Sequence, residues 1–128
     1  MANEFKFTVN LNYTNGTAKD QFIPGTINLP QTNKGYMVLT QTFTTAEADI
    51  TVGAGVGTPG YAVLHNLEST TTGKTLNIGW KSSTGGIPVY GKLPPKSFAV
   101  MCYGTSAMVL RAKAASGSLQ LMARIYEA

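Results

Sequence analysis

The sequence predicts an all-β fold, a single-domain antiparallel β-sandwich of jelly-roll type that spans residues 1–128. Three observations favour this fold class. Polar and apolar residues alternate with a period of two along most segments, as in strands with one buried face. Turn-forming Gly, Pro, Ser, Thr and Asn separate these segments at short intervals. No segment keeps a helical period over three turns, so the helical crossovers of a βαβ fold are not expected.

The N-terminal segment predicts a β-hairpin. Between residues 4 and 13 the odd positions are all apolar or aromatic and the even positions are all polar or charged, so one face of this strand is apolar. Asn15-Gly16 follows and favours a type I′ turn, because both residues accept positive φ angles. We therefore expect residues 17–23 to return as the partner strand, with Pro24-Gly25 ending it. A hairpin or arm at residues 1–23 is predicted within the single domain.

Further short strands are predicted along the rest of the chain. Their alternation and β-branched content place them at residues 36–44, 49–52, 61–67, 74–80, 87–90, 97–103, 108–112 and 118–126. In the strand 74–80, Leu76, Ile78 and Trp80 share one face. With the hairpin, this makes about ten strands, a number typical of a sandwich or jelly roll at this length.

Composition limits the chemistry that this chain can perform. With 10 Lys and Arg, 6 Asp and Glu and one His, charged residues make up 12% of the chain, about half the usual share. One Cys with one His cannot supply the ligands of a zinc site, and a lone Cys forms no intrachain disulfide. The Lys residues stand singly, which is not the pattern of nucleic-acid binding.

The N-terminal residues and the lengths of the apolar stretches indicate where the protein is located. The N-terminal residues lack the basic and apolar regions of a signal peptide, and no stretch reaches 18 apolar residues. We therefore expect synthesis in a cytoplasm, no membrane span and no membrane partner.

One glycine pattern calls for comparison with cofactor loops. Gly55, Gly57 and Gly60 match the spacing G-x-G-x-x-G, which in dinucleotide-binding folds opens a helix whose N-terminus holds a pyrophosphate. Here Pro59 lies inside the motif and a strand pattern follows from residue 61. The segment is interpreted as a plain loop, and no cofactor is expected.

Few side chains are candidates for catalysis. His65 is the only imidazole, and its position in a predicted strand favours a structural role over that of a catalytic base. Cys102 is interpreted as a small buried hydrophobe. Glu47 and Asp49 could form the carboxylate pair of a glycosidase, although a solvated strand entry is the favoured interpretation. We expect no enzyme and no metal site.

The aromatic residues leave a different class of function open. A sugar-stacking or base-stacking platform could be built from several rings, although the strand pattern assigns most of them to the core. The rings are Tyr36, Tyr61, Trp80, Tyr90 and Tyr103. A carbohydrate-binding sandwich is therefore one alternative to an assembly protein.

Low charge itself predicts assembly. A monomer with so few charges exposes neutral polar and apolar surface, which protects weakly against association. Such surface is typical of chains that cover it with copies of themselves, for example in a closed ring. We therefore expect a β-sandwich that assembles, most often as a closed ring such as a trimer, and docks on a larger structure.

Four segments share a recognisable layout. They are the opening MANEF, residues 58–70 (TPGYAVLHNLEST), residues 91–100 (GKLPPKSFAV) and residues 110–127 (LRAKAASGSLQLMARIYE). Their features are an Asn-Leu-Asp/Glu-x-Thr turn between strands, a Pro-rich turn before another strand, and a final strand that ends in an acidic residue. This layout resembles that of small β-sandwich virion proteins of tailed bacteriophages, of the capsid-decoration or cement type. A tail- or fibre-associated recognition module is the alternative to that type.

The resemblance implies a structural role without catalytic residues. It implies a homotrimer that binds the major capsid protein on the outside of the capsid and stabilises the shell, so the expected location is the virion surface. The apolar stripe of the first strand, Phe5, Phe7, Val9 and Leu11, is the candidate partner contact.

Overall fold

The structure, a computed structural model, describes residues 3–31, 35–71, 73–87, 90–104 and 108–128. Within these ranges there are ten strands and no helix. The strands are β1 (Asn3–Asn15), β2 (Ala18–Gln31), β3 (Tyr36–Phe43), β4 (Ala48–Asp49), β5 (Pro59–Asn66), β6 (Leu76–Trp80), β7 (Gly91–Leu93), β8 (Phe98–Cys102), β9 (Leu110–Ala114) and β10 (Leu119–Glu127). The prediction of an all-β antiparallel fold is confirmed.

The contacts divide the chain into two compact units, residues 1–34 and 35–128, whereas the sequence predicts a single domain over residues 1–128. The first unit is the antiparallel hairpin β1-β2, which forms a two-stranded sheet of its own. Its pairing extends to Gln31, past the predicted end at residue 23. The second unit holds the remaining eight strands.

The turn of the hairpin differs in type from the prediction. Asn15 pairs with Ala18, so the two loop residues are Gly16 and Thr17. Gly16 has a positive φ of 58° and Thr17 does not. Gly at the first central position with one positive φ is the pattern of a type II′ turn, so the predicted type I′ turn is wrong.

Pro24 and Gly25 do not end β2. The register shifts between Val9 and Leu11, and the strand resumes with Gly25 opposite Val9. Because a two-stranded ribbon has a free edge on each side, a Pro without an N–H group is tolerated where the ladder is interrupted. The strand therefore continues through a bulge.

The eight strands of the second unit form two four-stranded sheets. Sheet I has the order β3-β10-β5-β8, and sheet II has the order β4-β9-β6-β7. Every pair within them is antiparallel. Buried side chains of both sheets belong to one apolar cluster, so the unit is a sandwich with its core between the sheets.

The core follows the alternation of the longest strands. In β10, Leu119, Leu121, Ala123 and Ile125 are buried, and the residues between them are exposed or half-buried. Sheet II supplies the opposing layer through β6, β7 and β9. Its buried members are Leu76, Ile78, Leu93, Leu110, Ala112 and Ala114.

Most predicted strands of the second unit are found near their expected positions. Residues 87–90 differ: residues 88 and 89 lie outside the described ranges, Ile87 and Tyr90 lie in no strand, and the next strand begins at Gly91. Of the predicted strand 49–52, only Asp49 lies in a strand, and β9 begins two residues later than predicted, at Leu110.

A buried amide connects the two sheets. Asn66, the last residue of β5 in sheet I, is fully buried. Its Nδ2 donates to the carbonyl oxygen of Lys74 at 3.0 Å and to that of Leu93, in sheet II, at 2.9 Å. Its Oδ1 accepts from the N–H of Glu68 at 3.0 Å, which is an Asx-type turn. Because these bonds satisfy the amide, its burial is tolerated.

Candidate functional site

The predicted contact residues lie on an apolar face of the hairpin. Paired residues of an antiparallel ladder point to the same side, so Phe7 lies beside Ile27 and Leu11 beside Phe22. Phe7 and Val9 are half-buried and Leu11 is 58% exposed. The side chain of Phe5 lies outside the described part of the structure.

The second strand of the hairpin completes this face. We define the hairpin apolar face by the side chains of Phe7, Val9, Leu11, Tyr13, Phe22 and Ile27. Phe22 and Tyr13 are 56% and 55% exposed, and the neighbouring Ile23 is 52% exposed. The predicted contact includes only residues of the first strand, although the adjacent apolar pair Phe22-Ile23 is a sequence signal for the second.

The outer face of sheet I is a second apolar surface. The strand registers arrange its side chains in three rows that run across four strands. The rows are Tyr36-Tyr126-Tyr61-Cys102, Val38-Arg124-Val63-Val100 and Thr40-Met122-His65-Phe98. The rings of Tyr36 and Tyr126 are stacked, with centroids 6.5 Å apart.

This surface is exposed at its two edge strands and contains a shallow pocket. Tyr36 and Phe98 are each 66% exposed and Val38 is 49% exposed. The pocket has a volume of about 250 Å³ and is lined by Val63, His65, Phe98, Met122 and Arg124. Within the sandwich strands that the structure describes, large apolar side chains are exposed only on this face.

The outer face of sheet II carries a charged network instead. Arg111 donates from Nε to Asp49 Oδ1 at 2.6 Å and lies 3.8 Å from Glu47. Lys113 lies 3.3 Å from Glu47, and Lys81 lies 3.6 Å from Asp49. The hydrogen bond from Arg111 lowers the pKa of Asp49, against an opposing effect of desolvation. The predicted carboxylate pair is therefore part of an ion-pair network.

The aromatic residues do not all lie where the alternation predicts. Trp80 packs against the core and contacts Tyr103 edge to face, with centroids 5.1 Å apart. Tyr36 and Tyr90, however, are 66% and 65% exposed, and Tyr61 lies on the outer face of sheet I. The expectation that the core holds most of the five rings is therefore wrong: Tyr36 and Tyr90 are exposed, and Tyr61 is only half-buried, because in β5 the even-numbered face packs into the core.

His65 and Cys102 differ in how well their positions match the prediction. Both lie on the outer face of sheet I. Cys102 is exposed, so its predicted burial is wrong. His65 shares its strand face with Tyr61 and Val63, as predicted, and this face is the outer one. The register places Met122 and Phe98 beside its imidazole.

Two glycines of the G-x-G-x-x-G pattern, Gly57 and Gly60, lie close to Glu127 and Ala128. Glu127 Oε1 accepts from the N–H groups of Gly57 at 2.9 Å and Thr58 at 3.4 Å, and Oε2 accepts from Gly35 at 2.9 Å. A Cβ atom at Gly57 would lie 2.7 Å from Glu127 Oε1, and one at Gly60 would lie 2.7 Å from the backbone of Ala128. The flexible end of Glu127 could shift to admit a side chain at Gly57, whereas the backbone of Ala128 leaves no room for one at Gly60.

The described residues contain neither a metal-binding cluster nor a membrane-spanning helix. Among the described residues, no group of three or more His, Cys, Asp and Glu side chains is arranged to hold a metal ion. In the same ranges there is no helix with the length and hydropathy needed to cross a membrane.

Comparison of the chain with protein-family models, with curated proteins and with solved structures finds no match.

Proposed function

We propose that this protein is a non-enzymatic structural protein of a bacteriophage virion, which binds the outside of the capsid as a homotrimer and stabilises the shell. The observation that carries the proposal is the apolar surface found on both units. An amphipathic two-stranded ribbon is marginally stable in water by itself, and the hairpin apolar face includes four large side chains that are half-buried or exposed at Phe7, Leu11, Tyr13 and Phe22. A contact with a partner or a second copy would cover it.

The strand order supports a further detail of the proposal, that the sandwich is a jelly roll. Eight strands in two four-stranded sheets, ordered β3-β10-β5-β8 and β4-β9-β6-β7, are the strand number and sheet arrangement of that fold. Jelly rolls form many viral capsid domains as well as lectins. Fold does not determine function, so this supports the class of protein and not the partner.

Two measurements test the proposed function. Size-exclusion chromatography with light scattering at micromolar concentration is expected to give a trimer, and a monomer would contradict the proposal. Purified protein is then pelleted with capsids that lack it. Binding is expected for the full chain, with loss of binding for a variant that lacks residues 1–31, whose hairpin unit carries the predicted contact residues. If this variant pellets with capsids as well as the full chain does, the hairpin is not part of the contact.

A recognition module is the second candidate, favoured by the row of tyrosines on the outer face of sheet I. Tyr36, Tyr126 and Tyr61 are neighbours across three strands, and tyrosine rings stack on sugars. Trp80 is not part of such a platform, because it packs against the core. A glycan array separates the two candidates: the decoration protein binds capsids and no sugar, whereas glycan binding abolished by Tyr36→Ala would favour the recognition module.

A further inference from the structure

We propose that the hairpin apolar face of one copy docks on the outer face of sheet I of a second copy, with Asp20 of the hairpin pairing with Arg124 of the sheet. This inference rests on the self-assembly in the proposed function and names its interface. It is drawn from the exposure, dimensions and charges of the two surfaces.

Both surfaces are exposed within one chain. Leu11 and Phe22 of the hairpin apolar face are 58% and 56% exposed, and Tyr36 and Phe98 on sheet I are each 66% exposed. Contiguous apolar surface of this kind marks interaction sites in soluble proteins. Because side chains of both surfaces are exposed, a second copy of the chain would cover both at once.

The dimensions of the two surfaces match. The apolar stretch of β1 from Phe7 to Tyr13 spans roughly 20 Å at about 3.4 Å per residue. The four strands of sheet I span roughly 14 Å at about 4.8 Å between neighbours. The ribbon is therefore long enough to cross the whole sheet, and packing between sheets commonly uses aligned or orthogonal strands.

The charges of the two surfaces are complementary. Arg124 is exposed in the middle row of the outer face of sheet I, between Val38 and Val63, and no ion pair joins it to a described residue. Asp20 pairs with Tyr13 and so lies on the same side of the ribbon as the hairpin apolar face. Its carboxylate accepts a hydrogen bond from the N–H of Gln21 at 2.9 Å. The other carboxylates placed above, Glu47, Asp49 and Glu127, have partners within the sandwich.

The arrangement also accounts for a closed ring. The hairpin and the sheet are different surfaces of one chain, so each copy offers one surface and receives the other. Such a head-to-tail interface generates a ring when its rotation closes. A trimer is the ring of this kind that the proposed function requires.

Charge reversal tests the pairing of Asp20 with Arg124. Arg124→Glu and Asp20→Arg are each expected to raise the dissociation constant of the oligomer at least tenfold in sedimentation equilibrium. The double variant is expected to recover most of that loss, because it restores opposite charges at each interface. Lys92→Glu on sheet II and Thr14→Arg on the polar side of the hairpin are the matched controls, and both are expected to assemble normally.

The outcomes separate this inference from the proposed function. A trimeric wild type whose single variants remain trimeric would overturn the docking and leave the self-assembly intact. A double variant that is no better than the single variants would also overturn the pairing. A wild type that stays monomeric would overturn the self-assembly and the docking together.

Cross-linking determines which copy the hairpin covers. The natural thiol of Cys102 is exposed on the outer face of sheet I, and Phe22→Cys places a second thiol on the hairpin apolar face. A short bismaleimide is expected to join the two thiols between copies and give covalent oligomers on a denaturing gel, whereas Thr14→Cys is expected to give few. A fast-migrating monomer cross-linked within one chain, or no cross-link at all, would overturn the proposal.

Discussion

The outer faces of the two sheets have opposite characters although the same core lies behind both. Sheet I presents three rows dominated by apolar and aromatic side chains around a single arginine. Sheet II presents Arg111, Lys113, Glu47 and Asp49 in mutual ion pairs. Charged, internally paired surface is well solvated and resists association, whereas apolar surface favours it. Under the proposed assembly, the difference makes sheet II the solvent side of the sandwich and sheet I the interaction side.

This contrast changes the meaning of the low charge of the chain. With charged residues at 12% of the sequence, a uniform distribution would leave every surface weakly protected. The structure instead joins five charged side chains in an ion-pair network on and beside sheet II, namely Glu47, Asp49, Lys81, Arg111 and Lys113. Charged side chains are therefore scarce on the outer face of sheet I, where Arg124 is the one Arg, Lys, Asp or Glu in the three rows.

The largest expected effect comes from breaking the connection between the two sheets. Asn66→Ala removes an amide that bonds to Leu93 across the sandwich and leaves the carbonyl oxygens of Lys74 and Leu93 with one bond fewer. Loss of buried hydrogen bonds is expected to lower the free energy of unfolding by about 3 kcal/mol. Urea denaturation of the wild type and the variant measures this change in the free energy of unfolding. Asn28→Ala, an exposed position in the hairpin, is the control and should stay within about 0.5 kcal/mol.

The contrast between the faces is tested directly by introducing an acid on each. Phe98→Glu on sheet I is expected to weaken assembly at least tenfold, equivalent to about 1.4 kcal/mol, because it places a charge in an apolar contact. Lys92→Glu on sheet II, also an exposed position, should leave the molar mass unchanged in light scattering. Equal effects of the two variants would contradict the assignment of the faces.

A smaller effect is expected at a ring that packs against the core. The hydroxyl oxygen of Tyr103 is buried and makes no hydrogen bond to a described residue. Tyr103→Phe removes this unsatisfied group and is expected to stabilise the fold by about 1 kcal/mol at neutral pH. A destabilised variant in thermal unfolding would show that the hydroxyl has a partner.

The same ring gives a pH dependence. Burial raises the pKa of Tyr103 from 10.0 to about 12. Between these pH values the Tyr103 hydroxyl ionises in the unfolded chain but stays neutral in the folded chain. The free energy of unfolding is therefore unaffected by this group below pH 10 and decreases as the pH rises towards 12. Wild-type stability is therefore expected to fall across this window, and Tyr103→Phe to fall less.

The smallest effect is expected in the network on sheet II. Asp49 is 43% exposed and Arg111 is 18% exposed, so solvent screens their attraction, and Arg111→Ala should cost roughly 0.5 kcal/mol. Because the pKa of Asp49 is lowered, its contribution is present above the unfolded value of 3.8 and is lost as the pH falls through the folded value. Chemical denaturation at pH 7 and pH 3, with and without 1 M salt, measures both dependences.

The sequence predicted strands better than it predicted their surroundings. Alternation at residues 4–13 and 118–126 matches β1 and β10 closely, because a period of two is a local property of the chain. The sequence predicts a turn at Asn15-Gly16, but the two loop residues are Gly16 and Thr17 and the turn type differs, since both depend on which residues of the two strands pair. The bulge at Pro24 was missed because it depends on the free edges of the ribbon.

For the candidate surfaces, the sequence identified the apolar stripe of the first strand but not its counterpart on sheet I. The three rows there combine residues from four strands, and Phe98 meets His65 and Met122 only through the register. No local pattern contains that information. The roles of Glu127 were likewise hidden, because its carboxylate bonds to Gly35, 92 residues away in sequence.

By itself the sequence determined that this chain is all-β and antiparallel, because alternation and turn chemistry act between neighbouring residues. It did not determine which side of each strand is inside. In β5 one side carries Tyr61 and Val63 and the other Ala62 and Leu64, and both sides are apolar enough for a core. Only the pairing of β5 between β10 and β8, with sheet II opposite, buries the second side. Burial is a property of the layer that covers a face, and that layer comes from distant parts of the chain.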